Sequence, residues 1–427
     1  MKYKIKNIEQ GIEGQNNINL AFYEMPGLSQ IVEELRTDKP LTGARIAGCL
    51  HMTTETAVLI NALTDLGADV RWCSSNRFST CDAAAAAIVE NGVPVFAWYG
   101  QSEEEFNWCK EQVLKGDPSW TPNMILDDGA ELTSYLSEQH PEMWEGIRGI
   151  TEETTSGLFE LNKLEKMGEL YSPAIVVNNS ITKSKFDNIY GCHESLVDAL
   201  KAATGMLLAG KVATVIGYGD VGKGCCRALR GNGMRVQVVE VDPISALQAS
   251  MDGFEVVSMD HACSNSHIFV TATGNRHVID TKHFKFMRDR AVLCNMGNFN
   301  DEIDVETLNS LPRTELTTTL SSYKVSRDKS IFLVGNGAPA NLACVGGHSS
   351  FVMSTSFSNQ LLAQIELWCR AEDYAPGVHS IPRTLDEQVA RYHLEHLGAK
   401  LSVLSEEQAQ FIGVSTNGPF KPDFYRY

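Results

Sequence analysis

Two kinds of segment in this chain carry residues able to do chemistry. The first is Gly217-Tyr218-Gly219-Asp220-Val221-Gly222-Lys223-Gly224, directly after the apolar run Lys211–Ile216 and opening a helical pattern. Glycines at this spacing let backbone approach a pyrophosphate, and the helix start supplies oriented N–H donors. Glu240 follows Gly217 at close to the spacing of about 20 residues expected of a ribose-binding acid. Its carboxylate would accept from both ribose hydroxyls and repel a 2′-phosphate, so NAD is expected rather than NADP. Asp242, just before Pro243, reads as a helix cap.

The second kind is a set of polar segments at strand ends: Cys49–Thr56, Leu126–Gly129, Thr151–Ser156 and Asn178–Asn188. Carboxyl ends of parallel strands are where open α/β sheets bind ligands. Singly, each has an ordinary reading. Asp127-Asp128 could cap a helix, Glu152-Glu153 could be a charged first turn, Lys183 and Lys185 a solvated face, and His51 a half-buried histidine. Four such segments after strands point instead to a polar cleft.

The elements that must position them repeat strand, turn and helix. Ala44–Leu50, Asp69–Trp72, Val95–Trp98, Met124–Leu126 and Ala174–Val177 read as strands, and Glu55–Leu66 as a helix. A helical stretch Gly191–Ala209 leads to a second set of strands at Lys211–Ile216, Val236–Val239, Ile268–Thr271, Val292–Cys294 and Ile331–Val334. A helix over about Met353–Cys369 and two amphipathic segments after 375 follow. This alternation predicts an α/β fold with parallel sheets covered on both faces.

Composition narrows the function. The 427 residues carry 36 Lys+Arg against 53 Asp+Glu, a net charge of −17. That argues against nucleic acid or anionic membrane as a general partner. Hydrophobic residues make up 43 %, enough for large cores. No apolar run reaches the roughly 18–20 residues of a membrane span, and the basic start Met1–Lys6 lacks the apolar stretch of a signal peptide. The 11 scattered cysteines read as reduced thiols of a cytoplasmic protein, and no Cys/His spacing suggests a metal site.

The motifs together resemble the S-adenosyl-L-homocysteine hydrolase family over essentially the whole chain. The matching segments are Gly43–Thr53, Asn123–Gly129, Gly149–Thr155, Thr182–Asn188, the glycine loop and the closing Gly418–Tyr427. The resemblance implies reversible cleavage of S-adenosylhomocysteine to adenosine and homocysteine through a 3′-keto intermediate, with one tightly bound NAD per subunit cycling internally. It implies two Rossmann-like three-layer domains and a C-terminal arm. Residues 1–185 and 353–385 would bind substrate, 186–352 NAD, and 386–427 would form an oligomerisation arm, with a cleft that closes to exclude water.

By the same resemblance, Lys183, Asp187 and Glu153 serve the 3′ oxygen. A lysine base needs desolvation or a nearby cation, because a carboxylate alone raises its pKa. Asp128 and His51 serve the C4′ proton and the leaving thiolate or incoming water. Leu50, Thr53, Glu55, Thr56, His348 and Met353 would bind substrate, with Glu55 and Thr53 on the adenine edge and His348 closing near it. Thr154, Thr155, Ser156, Asn188 and Asn341 would meet the nicotinamide half. Val241, Thr273, Met296, Gly297 and Asn298 would complete the cofactor site. Lys421 and Tyr425 would reach a neighbouring subunit's NAD, making a homotetramer part of the site.

Several positions depart from the family pattern: Asn298 for a gate histidine, Cys81 for a cation-associated glutamine, Asn336–Ala340 for Glu-Gly-Arg, Ser245, Gly346 and Ser349. A working hydrolase, a paralogue oxidising another nucleoside, and a catalytically silent relative are the alternatives; retention of His51, Asp128, Glu153, Lys183 and Asp187 disfavours the last.

Overall fold

In a computed structural model that describes residues 2–422, 425 and 427, the chain divides into two compact units, 1–186 with 350–427 and 187–349. Asp423, Phe424 and Arg426 of the closing motif lie outside the described residues. The first unit holds β1 (Arg45–Cys49), β2 (Asp69–Cys73), β3 (Val95–Phe96), β4 (Met124–Asp127), β5 (Gly149–Glu152) and β6 (Pro173–Val176). The second holds β7 (Val212–Ile216), β8 (Arg235–Val239), β9 (Glu255–Val256), β10 (Ile268–Thr271), β11 (Ala291–Asn295), β12 (Arg313–Thr317), β13 (Leu320–Ser326) and β14 (Lys329–Val334). β15 (Gly377–His379) returns to the first sheet.

Among the described residues the first sheet has 7 strands in the order β15-β6-β5-β4-β1-β2-β3, with every pair parallel. Neighbouring residues serve opposite faces, as the strand repeat requires. Ile46 and Leu126 pack into one core with the helices Thr54–Asp65 and Ser350–Arg370. Ala47, Cys49 and Ile125 pack into the other with Cys109, Leu132 and Leu161. The chain runs outward from β1 to β3, then restarts at β4 on the other side of β1. The two strands therefore flank a topological switch point, where loops diverge and leave a crevice.

The second sheet has 8 strands in the order β12-β13-β14-β11-β10-β7-β8-β9. Its switch point lies between β7 and β10. Ala213, Val215, Val270 and Val292 build one face, and Phe269, Leu293, Ile331 and Leu333 the other. β12, β13 and β14 form antiparallel pairs at the edge. The expected helix from Gly191 to Ala209 is shorter than anticipated. A π-turn at Asp187–Gly191 precedes the α-helix Cys192–Thr204, which Gly205 ends at φ 62°, the left-handed conformation glycine adopts without penalty. No helix among the described residues is long and apolar enough to cross a membrane.

Candidate active site

In the first unit, adjacency of β6, β5, β4 and β1 brings the four polar segments to one sheet edge. Asp127, the last residue of β4, and Asp128 just after it separate by the strand alternation. Asp127 points into the protein and accepts from Leu132 N and Thr133 N, at 3.1 and 2.7 Å, at the start of the helix Glu131–Gln139. Asp128 faces the other way. Its Oδ2 accepts from Ser75 Oγ at 2.6 Å and lies 3.1 Å from His51 Nε2. The other ring nitrogen, Nδ1, is 2.7 Å from Ser79 Oγ and 3.2 Å from Ser75 Oγ. Asp128 Oδ1 is buried with no donor among the described residues. A histidine bound to a carboxylate on one side and hydroxyls on the other is oriented for proton transfer. Ser75 and Ser79 follow β2, next to β1, and sequence reasoning missed both; their signal was position after a strand neighbouring the His51 strand.

Glu152 and Glu153 also divide their tasks. Glu152 Oε1 accepts from Gly129 N at 2.9 Å and Thr154 N at 2.8 Å, and Oε2 from Ala130 N at 2.9 Å, tying the loops after β4 and β5 together. Burial pushes the Glu152 carboxyl well above the ordinary range, with Asp127 and Asp128 adding repulsion. Glu153 Oε2 accepts from Gln360 Nε2 at 2.8 Å, and Lys183 Nζ stands 3.9 Å from Glu153 Oε1 with both side chains buried. Gln360 belongs to the helix Ser350–Arg370, whose Asn359 Nδ2 donates to Thr182 Oγ1 in the turn after β6 and whose Gln364 Nε2 donates to Thr151 Oγ1 in β5. Sequence reading placed a helix here but assigned no role to these three amides.

Thr53 caps the helix Thr54–Asp65, and Thr56 Oγ1 donates to the His51 carbonyl at 2.6 Å. Glu55 accepts from Ser350 Oγ at 2.8 Å, and burial raises its pKa against that bond. Leu50 is buried in the core, and Met353 packs against that core half-buried. Thr154 caps the helix Thr155–Met167 and lies 2.9 Å from Ser156 Oγ, while Thr155 Oγ1 accepts from Asn178 Nδ2. Cys81 precedes the helix Asp82–Glu90 without a side-chain cap.

In the second unit the glycine loop joins β7 to the helix Asp220–Gly231, with Asp220 and Val221 in its first turn and Lys223 reaching Gln248 at 2.9 Å. A Cβ at Gly222 would stand 2.0 Å from the Gly217 carbonyl oxygen. Glu240 sits at the end of β8 and accepts from Tyr218 N, Val241 N and Asp242 N at 2.6, 2.6 and 3.0 Å. Its lone pairs still outnumber these bonds. The Val241 side chain is 95 % exposed. Asp242 does cap the helix Pro243–Met251, and Ser245 Oγ donates to it at 3.4 Å.

Across the switch point, Thr273 N and Gly274 N donate to the buried Glu302 at 3.0 and 2.8 Å. Asn295 holds the loop that follows it. Its Oδ1 accepts from Gly297 N at 2.9 Å, and its Nδ2 donates to Phe299 O and Gly337 O at 2.7 and 2.9 Å. Met296 N donates to Thr271 O at 2.8 Å. Asn298 follows in this loop, half-buried. Asn336 stands at φ 55° and accepts from Arg313 at 3.0 Å. Gly346 has φ 82° and ends the helix Ala340–Val345, a conformation that strains a bulkier residue.

His348 lies within the second unit, 3.4 Å from Asp187 Oδ1, 3.0 Å from Ser195 Oγ and 3.5 Å from Asn341 Nδ2. Asn188 belongs to the π-turn. Asn341 is 6 % exposed, and its Oδ1 has no donor among the described residues. At the C-terminus Lys421 Nζ lies 4.9 Å from the Tyr425 ring centroid.

Two family models match in sequence, S-adenosyl-L-homocysteine hydrolase over residues 2–140 and the S-adenosyl-L-homocysteine hydrolase NAD binding domain over residues 188–347. Together they span well over half of the chain. The chain belongs to the S-adenosyl-L-homocysteine hydrolase family. Its second unit is therefore an NAD-binding domain, and the protein is a hydrolase of that family. Among solved structures it is similar to the A chain of dipicolinate synthase from Bacillus subtilis, at 12 % identity over 76 % of this chain and 98 % of that one, with a TM-score of 0.44. It is also similar to a phosphoglycerate oxidoreductase from Vibrio cholerae o395, at 10 % identity over 75 % and 98 %, with a TM-score of 0.42.

The residues present fit NAD. The close approach at Gly222 leaves no room for a side chain, Glu240 keeps free lone pairs for ribose hydroxyls, and Asn341 Oδ1 is a buried acceptor awaiting a donor such as a carboxamide.

Proposed function

We propose that the protein hydrolyses S-adenosylhomocysteine reversibly to adenosine and homocysteine through a 3′-keto intermediate. One arrangement carries this reading: two separate proton-handling groups, His51–Asp128 and Lys183–Glu153, stand on one sheet edge. A thioether carbon resists direct attack by water, so the bond must be activated from elsewhere on the sugar. NAD, when bound, supplies the hydride acceptor that makes the 3′ carbon a ketone and returns the hydride at the end of the cycle.

The chain's own groups do the rest. Lys183 takes the 3′-hydroxyl proton, with Glu153 fixed by Gln360 beside it and Asp187 assigned to the same task. The ketone acidifies the C4′ hydrogen, and the His51–Asp128 pair accepts that proton. Its loss expels the thiolate from C5′, which leaves as the thiol after protonation by the same pair. Water then adds across the enone, its hydroxyl to C5′ and its proton, relayed by the same pair, to C4′, and Lys183 gives its proton back to the 3′ oxygen. Glu55 and Thr53 hold the adenine edge. Glu240, the glycine loop, Thr273 and Asn341 hold the cofactor, with Asn298 in the loop beside it. Lys421 and Tyr425 are assigned to a neighbouring subunit's cofactor in a homotetramer.

Incubation of the purified holoenzyme with S-adenosylhomocysteine and a thiol trap tests the reading. Released thiol is expected. A Lys183→Ala protein should retain NAD yet no longer reduce it on addition of adenosine. Reduced cofactor with a nucleoside but no thiol from the thioether would mean another substrate, and unchanged turnover in Lys183→Ala would remove that residue from its role.

A further inference from the structure

The helix Arg383–His396 comes from the far end of the chain, yet it grips the segment that carries Lys183. That segment, Ile181–Ser184, is a single short turn. One turn fixes several dihedrals for very few hydrogen bonds and does not hold itself. Asp386, 3 % exposed, spends both carboxylate oxygens on it. Oδ2 accepts from Ile181 N at 2.8 Å. Oδ1 accepts from Thr182 N at 2.9 Å and from Thr182 Oγ1 at 2.5 Å.

A buried carboxylate is costly unless its lone pairs and its charge are both met. Here both are. Arg383 Nη1 lies 3.3 Å from Asp386 Oδ2, with each side chain nearly sequestered from solvent. The same guanidinium donates through Nη2 to the Tyr425 carbonyl at 3.4 Å. Asn359 Nδ2 closes the other side of Thr182 at 2.7 Å. The backbone of Ile181 and Thr182, immediately before Lys183, is thereby anchored from a helix with no part in the polar sheet edge.

We propose that Asp386 is a positioning residue for Lys183 and that Arg383 holds Asp386 in place for that task. The inference rests on the reading of Lys183 as the 3′ proton acceptor. Removal of Asp386 frees the two amides, lets the turn shift and moves Nζ away from its place beside Glu153. A misplacement of about 1 Å at a reacting group costs about a hundredfold in rate.

The test compares Asp386→Asn, which keeps one acceptor, and Asp386→Ala, which keeps none, with wild-type holoenzyme. Three quantities are read: kcat and KM for thiol release, NAD content, and the rate at which an amine-reactive reagent labels Lys183, mapped by mass spectrometry. The expected result is kcat lowered by about ten- to a hundredfold, more in Ala than in Asn, with NAD content kept, KM within a few-fold, and Lys183 labelling changed in the same order. A folded Asp386→Ala protein with wild-type kcat and wild-type labelling overturns the proposal. Should that variant fail to fold, Arg383→Gln and Thr182→Val serve instead, and wild-type kcat and labelling in both overturn it. If wild-type protein releases no thiol, the hydrolase reading falls by itself, and the labelling rates still decide whether Asp386 positions Lys183.

Discussion

Asp127 and Asp128 are chemically identical neighbours that the strand end sends to opposite tasks. Asp127 is a cap buried beneath the sheet edge, and Asp128 is the partner of His51. Burial pushes the Asp127 carboxyl up to about 6 from an ordinary 3.8, although the amides of Leu132 and Thr133 oppose the shift. The native state therefore holds this proton more tightly than the unfolded chain does. Its contribution to stability falls as pH rises through about 4 to about 6 and is fully lost above that window. We expect Asp127→Asn to flatten this part of the stability–pH curve in denaturant titrations at stepped pH. The variant should also be destabilised by about 1–3 kcal/mol, because one carboxamide oxygen cannot serve all the amides. A parallel displacement of the curve at every pH would refute the assignment. The pair was visible in sequence as either cap or cleft acid. Residue pattern alone leaves the choice open, because the register of β4 is uncertain by one residue; only the family resemblance singled out Asp128.

Element by element, the legible parts were those whose apolar runs face packed layers: β1, β2, β3, β4 and β6 in one sheet and β7, β8, β10, β11 and β14 in the other. β12 escaped because every one of its residues is exposed. β15 escaped because it has only three residues. The helix Ser350–Arg370 was found, but its amides Asn359, Gln360 and Gln364 went unread, since a buried amide has meaning only once its partner is known. The loop between β7 and its helix was readable in full, because the glycine spacing reflects a steric demand. Gly222→Ala should show this. The added methyl meets the Gly217 carbonyl, so the loop must open, and NAD affinity should fall by about tenfold or more, equivalent to about 1.4 kcal/mol or more. Calorimetric titration of cofactor-free protein checks it, with circular dichroism confirming that the sheet persists. Retained affinity would mean that the loop gives way elsewhere.

At the scale of the whole molecule, one unit interrupts the other in sequence. Residues 187–349 form a continuous stretch with a sheet and two apolar cores of its own. Expressed alone, this stretch should fold cooperatively and bind NAD while releasing no thiol from S-adenosylhomocysteine. An aggregated or molten product would show that its stability is borrowed. The first unit has no such independence, since β15 and the helix Ser350–Arg370 return to it only after the interruption. On the ribosome, chains emerge from the amino end and domains fold as units. The nascent first sheet must wait, one face bare of its long helix, while the dinucleotide unit is made and folds. Glu153 meets Gln360, and the Lys183 turn meets Asp386, only after residues 187–349 have been made. A chain cut short after residue 349 would therefore still capture cofactor while Glu153 and the Lys183 turn lacked the partners that hold them.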